Sequence, residues 1–98
     1  MQELIDKVQE LVAFELERAN TIHPPKFNSM HEAYAVILEE IEETREALES
    51  LERKRDLAWA CIKGDADPCG FLEQMEKAAT IAASEMIQVS AMCRKARM

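Results

Sequence analysis

The stretch SMHEAYAVILEEIEETREALESLERKRDLAWACI, residues 29–62, decides the fold. It is rich in Ala, Glu, Leu, Met, Lys and Arg, the residues that long helices use. Ser29 followed three residues later by Glu32 forms a capping box, which marks the start of a helix. The stretch therefore predicts one helix of roughly 50 Å, because each residue adds about 1.5 Å. The whole chain has two glycines, three prolines and 5% aromatic residues, which is poor material for a sheet protein.

A break lies on each side of this long helix. Pro24 and Pro25 end the preceding helix and force an extended connection. Gly64 suits a helix C-cap, while Asp67 followed by Pro68 suits the N-cap and first position of another helix. We therefore predict a single all-α domain over residues 1–98. Its helices are expected at about residues 2–20, 29–62 and 68–95.

The outer helices each carry one apolar stripe at three- and four-residue spacing. In the first helix the stripe is Leu4, Val8, Leu11, Val12, Leu16 and Ala19. In the third helix, where the spacing is typical of a bundle seam, the stripe is Leu72, Met75, Ala79, Ala82, Met86, Val89 and Cys93. Three helices, two of them long, cannot cover each other along their whole length. We therefore expect long antiparallel helices in an oligomeric helical bundle, a homodimer or homotetramer.

Charge and cysteine content restrict the functional class and the compartment. A net charge of −7 argues against nucleic-acid binding, which needs a basic surface. The same charge fits a protein that gathers divalent cations, although it also serves solubility. Three cysteines without zinc-site spacing indicate reduced thiols, and no apolar run is long enough for a membrane span or signal peptide. We expect a cytoplasmic protein with neither nucleic-acid nor membrane partners.

The second helix carries carboxylates where its apolar period calls for hydrophobic residues. Glu40 and Glu43 lie three residues apart and so project from one face. On the third helix, Glu85 and Gln88 are also three residues apart and are bracketed by apolar residues. Oxygen ligands from two facing helices can hold a hard cation such as Mg²⁺. Since a buried unpaired carboxylate is costly, Glu40 and Glu43 either bind a metal or meet water at a cleft.

Two segments of these helices resemble a known family. Glu39-Glu40-Ile41-Glu42-Glu43 is similar to the EExxE element of the MazG-like all-α nucleotide pyrophosphohydrolases. Glu85-Met86-Ile87-Gln88 stands where that superfamily has ExxD. The wider segments HEAYAVILEE, residues 31–40, and EMIQVSAM, residues 85–92, resemble small phage and prophage proteins associated with it. The resemblance covers about residues 27–94.

The resemblance implies Mg²⁺-dependent cleavage of a nucleoside triphosphate to the monophosphate and pyrophosphate, with Mn²⁺ as an alternative ion, by a dimer or tetramer. It implies catalytic roles for Glu39, Glu40, Glu43 and Glu85. The metal ligands that it implies are Glu40, Glu43, Glu85 and Gln88. Gln88 replaces the family Asp and removes one negative charge. The alternative function is therefore a non-catalytic helical oligomer, an interaction module on the same scaffold with a degenerate metal site.

Several other residues could contact a nucleotide. Lys26, Arg94 and Lys95 could bind a triphosphate, although solvation at a helix end explains Arg94 and Lys95 more simply. Tyr34 and Trp59 could stack on a base. Packing in the core or at the oligomer interface is the simpler role for these two aromatic residues.

Overall fold

The computed structural model describes all 98 residues and contains three helices: α1 (Gln2–Ile22), α2 (Met30–Lys63) and α3 (Cys69–Ala96). The all-helical prediction is confirmed. The chain is elongated, with extents of 55 × 29 × 22 Å, because α2 alone contains 34 residues. None of the helices is both long enough and apolar enough to cross a lipid bilayer.

The capping residue Ser29 fixes the start of α2. Its Oγ accepts a hydrogen bond from the Glu32 backbone N–H at 3.1 Å, as the sequence predicts. The reciprocal half of the capping box is replaced, because Glu32 Oε2 accepts from Asn28 Nδ2 at 2.9 Å. The irregular link between α1 and α2 contains Pro24 and Pro25, and it is held to α2 through Asn28.

A short turn joins α2 to α3. Gly64 is the C-cap of α2, but its φ of −92° does not use the conformational freedom of glycine. The left-handed position is the following residue, Asp65, with φ of 56°; Asp is among the few residues that tolerate this conformation. The N-cap of α3 is Pro68, one residue later than predicted, because the Pro68 carbonyl oxygen accepts the first hydrogen bond of the helix, from the Leu72 N–H. Asp67, just before the N-cap, accepts from the Cys69 N–H through Oδ1 at 2.9 Å. Helices α2 and α3 therefore run antiparallel.

The face that α3 presents to α2 differs from the predicted seam. Ala78 and Ala82 are buried, whereas Leu72 and Met86 of the predicted stripe are 46% and 53% exposed. Small side chains such as these permit close packing of neighbouring helices. One copy of the chain thus buries Ala82 of the predicted stripe and leaves Leu72 and Met86 exposed, and a seam that includes them in an oligomeric bundle stays a prediction.

Helix α1 packs on α3 and makes no comparable contact with α2. Val12 and Leu16 form a small core with Ala91, which is completely buried. Ile87 and Met92 of α3 pack against this core. The first half of the α1 stripe is uncovered, so one end of α1 is anchored on α3 and the other carries apolar side chains in solvent.

Most of the large apolar side chains of the chain are exposed. Only ten of 98 residues are buried, and no large side chain is fully buried. The most exposed of these residues within the helices are Leu4, Phe14, Ile22, Met30, Tyr34, Trp59, Ile81 and Met86. One copy of the chain thus leaves much of its apolar surface in contact with water.

Candidate metal centre

The carboxylates of Glu40 and Glu43 are half-buried in the seam between α2 and α3. They lie there because the helical period puts them on the same face of α2 as the buried residues Ala33 and Thr44. The hydroxyl of Thr44 donates to the Glu40 carbonyl oxygen at 2.9 Å, so its burial leaves no unpaired donor. The seam therefore contains two half-buried acidic residues that are flanked along α2 by the buried Ala33 and Thr44.

Helix α3 brings Glu85 to the same place. One carboxylate oxygen from each of Glu40, Glu43 and Glu85 lies within 4.8 Å of the others. Oxygens that share one Mg²⁺ at about 2.1 Å lie at most about 4.2 Å apart, so small side-chain movements bring these three onto one ion. The three half-buried carboxylates, which we call the acidic triad, could hold a hard divalent cation after such movements.

Gln88 is hydrogen-bonded to two members of the acidic triad. In the amide orientation assigned from the hydrogen-bond network, its nitrogen donates to Glu85 Oε2 and to Glu40 Oε2, both at 2.9 Å. In this orientation the side chain is a donor to the carboxylates. To act as a metal ligand through its oxygen, Gln88 has to rotate its amide about the terminal bond.

Glu39 lies beside the acidic triad but outside it. Its side chain is exposed, as expected for the neighbour of a half-buried helix position. Its charge is still close enough to contribute to the raised pKa of Glu40. Of the four acidic residues that the sequence singled out, the structure brings three together and places the fourth on the solvent side.

Burial and neighbouring carboxylates raise the pKa values of two members of the acidic triad, Glu40 and Glu85. Burial, followed by the charges of Glu43, Glu85, Glu39 and Glu15, raises the pKa of Glu40 to about 7. The pKa of Glu85 is also raised, first by burial and then by its hydrogen bond and charge interaction with Glu43. A bound divalent cation would remove this repulsion.

Glu15 of α1 is a residue near the site that sequence reasoning missed. Arg18 Nη2 and Nε donate to its two carboxylate oxygens at 2.7 and 2.9 Å, and this hydrogen bonding lowers the pKa of Glu15. The signal in the sequence is its position three residues after Val12 and four before Ala19, on the edge of the buried stripe. α1 thereby contributes a charged pair to the surroundings of Glu40.

A cavity of about 270 Å³ opens beside the acidic triad. Glu40 and Gln88 form part of its wall, and Phe27 from the link between α1 and α2 forms another part. Its basic residues are Arg18, His23, Lys26 and Lys95. Tyr34 and Trp59 do not line it; they are 68% and 55% exposed. A cavity of mixed charge with apolar walls can hold a small anionic ligand next to the carboxylates.

We expect the metal-free chain to lose stability as the pH rises from about 4.5 to about 7. The folded-state pKa of Glu40 is about 7, above the ordinary value of 4.5. The folded chain therefore binds more protons in this window, and the stabilisation present below about pH 4.5 is lost as the pH passes 7. Solvent screening limits the loss to about 1–2 kcal/mol.

Urea unfolding at about pH 5 and about pH 7.5, at one protein concentration and without divalent cations, measures this loss. Glu40→Gln should remove most of the pH dependence. Glu46→Gln, an exposed position on the same helix, should keep it. Equal pH dependence in wild type and Glu40→Gln would show that the acidic triad does not titrate in this way.

Comparisons with protein-family models, with curated proteins and with solved structures found no match to this chain. Its function is therefore inferred from the chemistry of the site. The features that carry this inference are the acidic triad, the Gln88 amide and the adjoining cavity.

Proposed function

We propose that this chain is a metal-dependent nucleoside triphosphate pyrophosphohydrolase that converts an NTP or dNTP to its monophosphate and pyrophosphate. The acidic triad carries the proposal: three half-buried carboxylates from two antiparallel helices meet within 4.8 Å, beside a cavity of about 270 Å³. The MazG-like motif resemblance adds the reaction class, and we propose membership of that superfamily as a small phage-type protein.

The roles of the residues follow from their positions. Glu40, Glu43 and Glu85 would hold Mg²⁺, or Mn²⁺ in its place, and Gln88 would complete the ligand set after its amide rotates. Such an ion would supply neutralisation of phosphate charge and a lowered pKa of the attacking water. Glu39, on the solvent side of the triad, orients the attacking water and takes up its proton.

The proposed reaction is a hydrolysis at the α-phosphorus of the nucleotide. The water oxygen bonds to the α-phosphorus, and the bond from that phosphorus to the bridging oxygen breaks. Pyrophosphate leaves with the bridging oxygen, and the nucleoside monophosphate retains the new oxygen. No covalent intermediate is needed, because water is the attacking nucleophile.

Metal-dependent thermal stability tests the proposal. If Mg²⁺ binds the native state and not the unfolded state, a free Mg²⁺ concentration of about ten times the Kd raises the free energy of unfolding by about 1.4 kcal/mol. The melting temperature should then rise by several degrees. Glu43→Gln should abolish the shift, and Glu46→Gln should retain it. A melting temperature that does not respond to Mg²⁺ or Mn²⁺ would argue against the metal site.

The hydrogen bonds of Gln88 favour a second candidate function. Its amide nitrogen already joins Glu40 and Glu85, each at 2.9 Å, so the scaffold has a way to hold these carboxylates without a metal. On this account the chain is a non-catalytic helical oligomer that serves as an interaction module. It predicts an intact oligomer with neither a metal-dependent melting shift nor pyrophosphate release.

We propose that the chain assembles as a homodimer or homotetramer in the cytoplasm. Support comes from its small core of eight buried apolar residues and from the exposed Trp59, Ile81 and Met86, which another copy would cover. The cysteines are free thiols, as is usual in the reducing cytoplasm. The assembly would complete the helical bundle that one copy leaves open.

Sedimentation or light scattering should give a mass of two or four copies of the 11.2 kDa chain. Trp59→Glu should shift this mass toward one copy, because it places a charge at a 55% exposed apolar position. Gln74→Glu adds the same charge at an exposed polar position of α3 and should leave the mass unchanged. A wild-type chain at the mass of one copy would refute the assembly.

A further inference from the structure

Lys95, near the C-terminal end of α3, is a largely buried residue whose ammonium keeps some contact with solvent and has no acceptor from the chain itself. Only 5% of the surface of Lys95 is exposed, whereas the sequence predicts a solvated position for it. Its ammonium lies over the ring of Phe27, with 4.7 Å from Nζ to the ring centroid. It forms no ion pair within 4.0 Å and no hydrogen bond to another group of the chain. The ring of Phe27 offsets only part of the cost of burying the charge.

The carboxylates that share the cavity with Lys95 are engaged elsewhere. Those of Glu15 and Glu32 accept from Arg18 and from Asn28, respectively. The Glu40 carboxylate accepts from the Gln88 amide, as described above. None of the three forms an ion pair with Lys95 within 4.0 Å, so its N–H donors are free to bind a group that enters the cavity. An anion in the cavity is the simplest such group.

We infer that Lys95, with the neighbouring Lys26, forms an anion-binding subsite that takes a phosphoryl group of a ligand held in the cavity. That this phosphoryl group belongs to a nucleotide rests on the proposed function. The subsite lies in the same cavity as Glu40, so a polyphosphate can meet a cation at the acidic triad and the ammonium of Lys95 together. Phe27, which also lines the cavity, contacts the ammonium and links the subsite to the segment between α1 and α2.

A purely structural role for Lys95 predicts different behaviour. If its function were to fasten the linking segment through Phe27, replacing Lys95 by an apolar residue would lower stability and leave anion binding unaffected. If Lys95 is an anion-binding residue, Lys95→Met removes the charge that binds the anion and keeps a flexible side chain of similar length against Phe27. The variant should then stay folded, with a melting temperature near that of wild type, while losing the anion.

Titration calorimetry with inorganic pyrophosphate, in buffer stripped of divalent cations by chelating resin, tests the subsite. Wild type should bind pyrophosphate, and Lys95→Met should bind it at least about tenfold more weakly, as expected for loss of a charge-assisted hydrogen bond. Lys77→Met, an exposed lysine of α3, should bind like wild type. Lys95→Arg retains the charge and should recover part of the affinity.

Two results would overturn the subsite: no pyrophosphate binding by wild type, or unchanged binding by Lys95→Met. The Mg²⁺-dependent melting shift of the same proteins separates this inference from the proposed function. Lys95→Met should keep that shift, because Lys95 is not a member of the acidic triad. Pyrophosphate binding without a Mg²⁺-dependent melting shift would support the subsite and argue against the enzyme. A Mg²⁺-dependent melting shift without pyrophosphate binding would support the metal site of the enzyme and reject the subsite.

Discussion

Glu43→Gln is expected to lower metal-dependent pyrophosphate release by about 10²–10³-fold or more, while the chain remains folded. The substitution keeps the shape of the side chain and removes one of the three charges that lie within 4.8 Å. In the metal-free state it relieves repulsion, so the variant should be at least as stable as wild type. Lost activity together with retained or raised stability identifies a functional residue.

The controls for this experiment lie on the same helix. Glu40→Gln should behave like Glu43→Gln, because both residues belong to the acidic triad. Glu46→Gln removes the same charge at an exposed position and should keep wild-type activity and the metal-dependent melting shift. Full activity in both triad variants would mean that the site is wrongly assigned.

Gln88→Asp is expected to tighten Mg²⁺ binding by about tenfold or more and to destabilise the metal-free chain. The wild-type amide donates to Glu40 and Glu85, so the substitution replaces two favourable hydrogen bonds with a fourth carboxylate. Without metal, that carboxylate adds repulsion to a site where the pKa of Glu40 is already raised to about 7. With metal, the same charge becomes an additional ligand. The two effects have opposite signs and can be measured separately.

Melting curves over a range of Mg²⁺ concentrations give both quantities. Ser90→Asp adds the same charge at an exposed position of α3 and should change neither by a comparable amount. If Gln88→Asp leaves metal affinity and metal-free stability as they are in wild type, the amide of Gln88 has no part in controlling the site.

The sequence was sufficient for the features that depend on local interactions. Ser29 caps α2, because capping needs only a side-chain oxygen within a few residues of a free backbone N–H. The start of α3 was predicted to within one residue, since Pro68 rather than Asp67 is its N-cap. Glu40 and Glu43 could be singled out because helical periodicity alone puts them on the face that carries Ala33 and Thr44.

The remaining features depend on how the helices pack against each other. The position of α1 on α3 is determined by the contact of Val12 and Leu16 with Ala91, which no local signal reveals. That packing brings Glu15 toward Glu40, and the linking segment that follows α1 places Phe27 over Lys95. Lys95 was expected in solvent because basic residues at a helix end are usually exposed. The burial of Ala78 and the exposure of Leu72 and Met86 likewise depend on which face of α3 meets the other helices.

Release of pyrophosphate from a panel of canonical and modified NTPs and dNTPs, with Mg²⁺ or Mn²⁺ and with Glu43→Gln in parallel, tests the central claim most directly. The proposed function predicts metal-dependent release of pyrophosphate from at least one nucleotide, with the monophosphate as co-product and loss of the activity in Glu43→Gln. No release across the panel, with a melting temperature that neither ion changes, would contradict the claim and favour the non-catalytic interaction module.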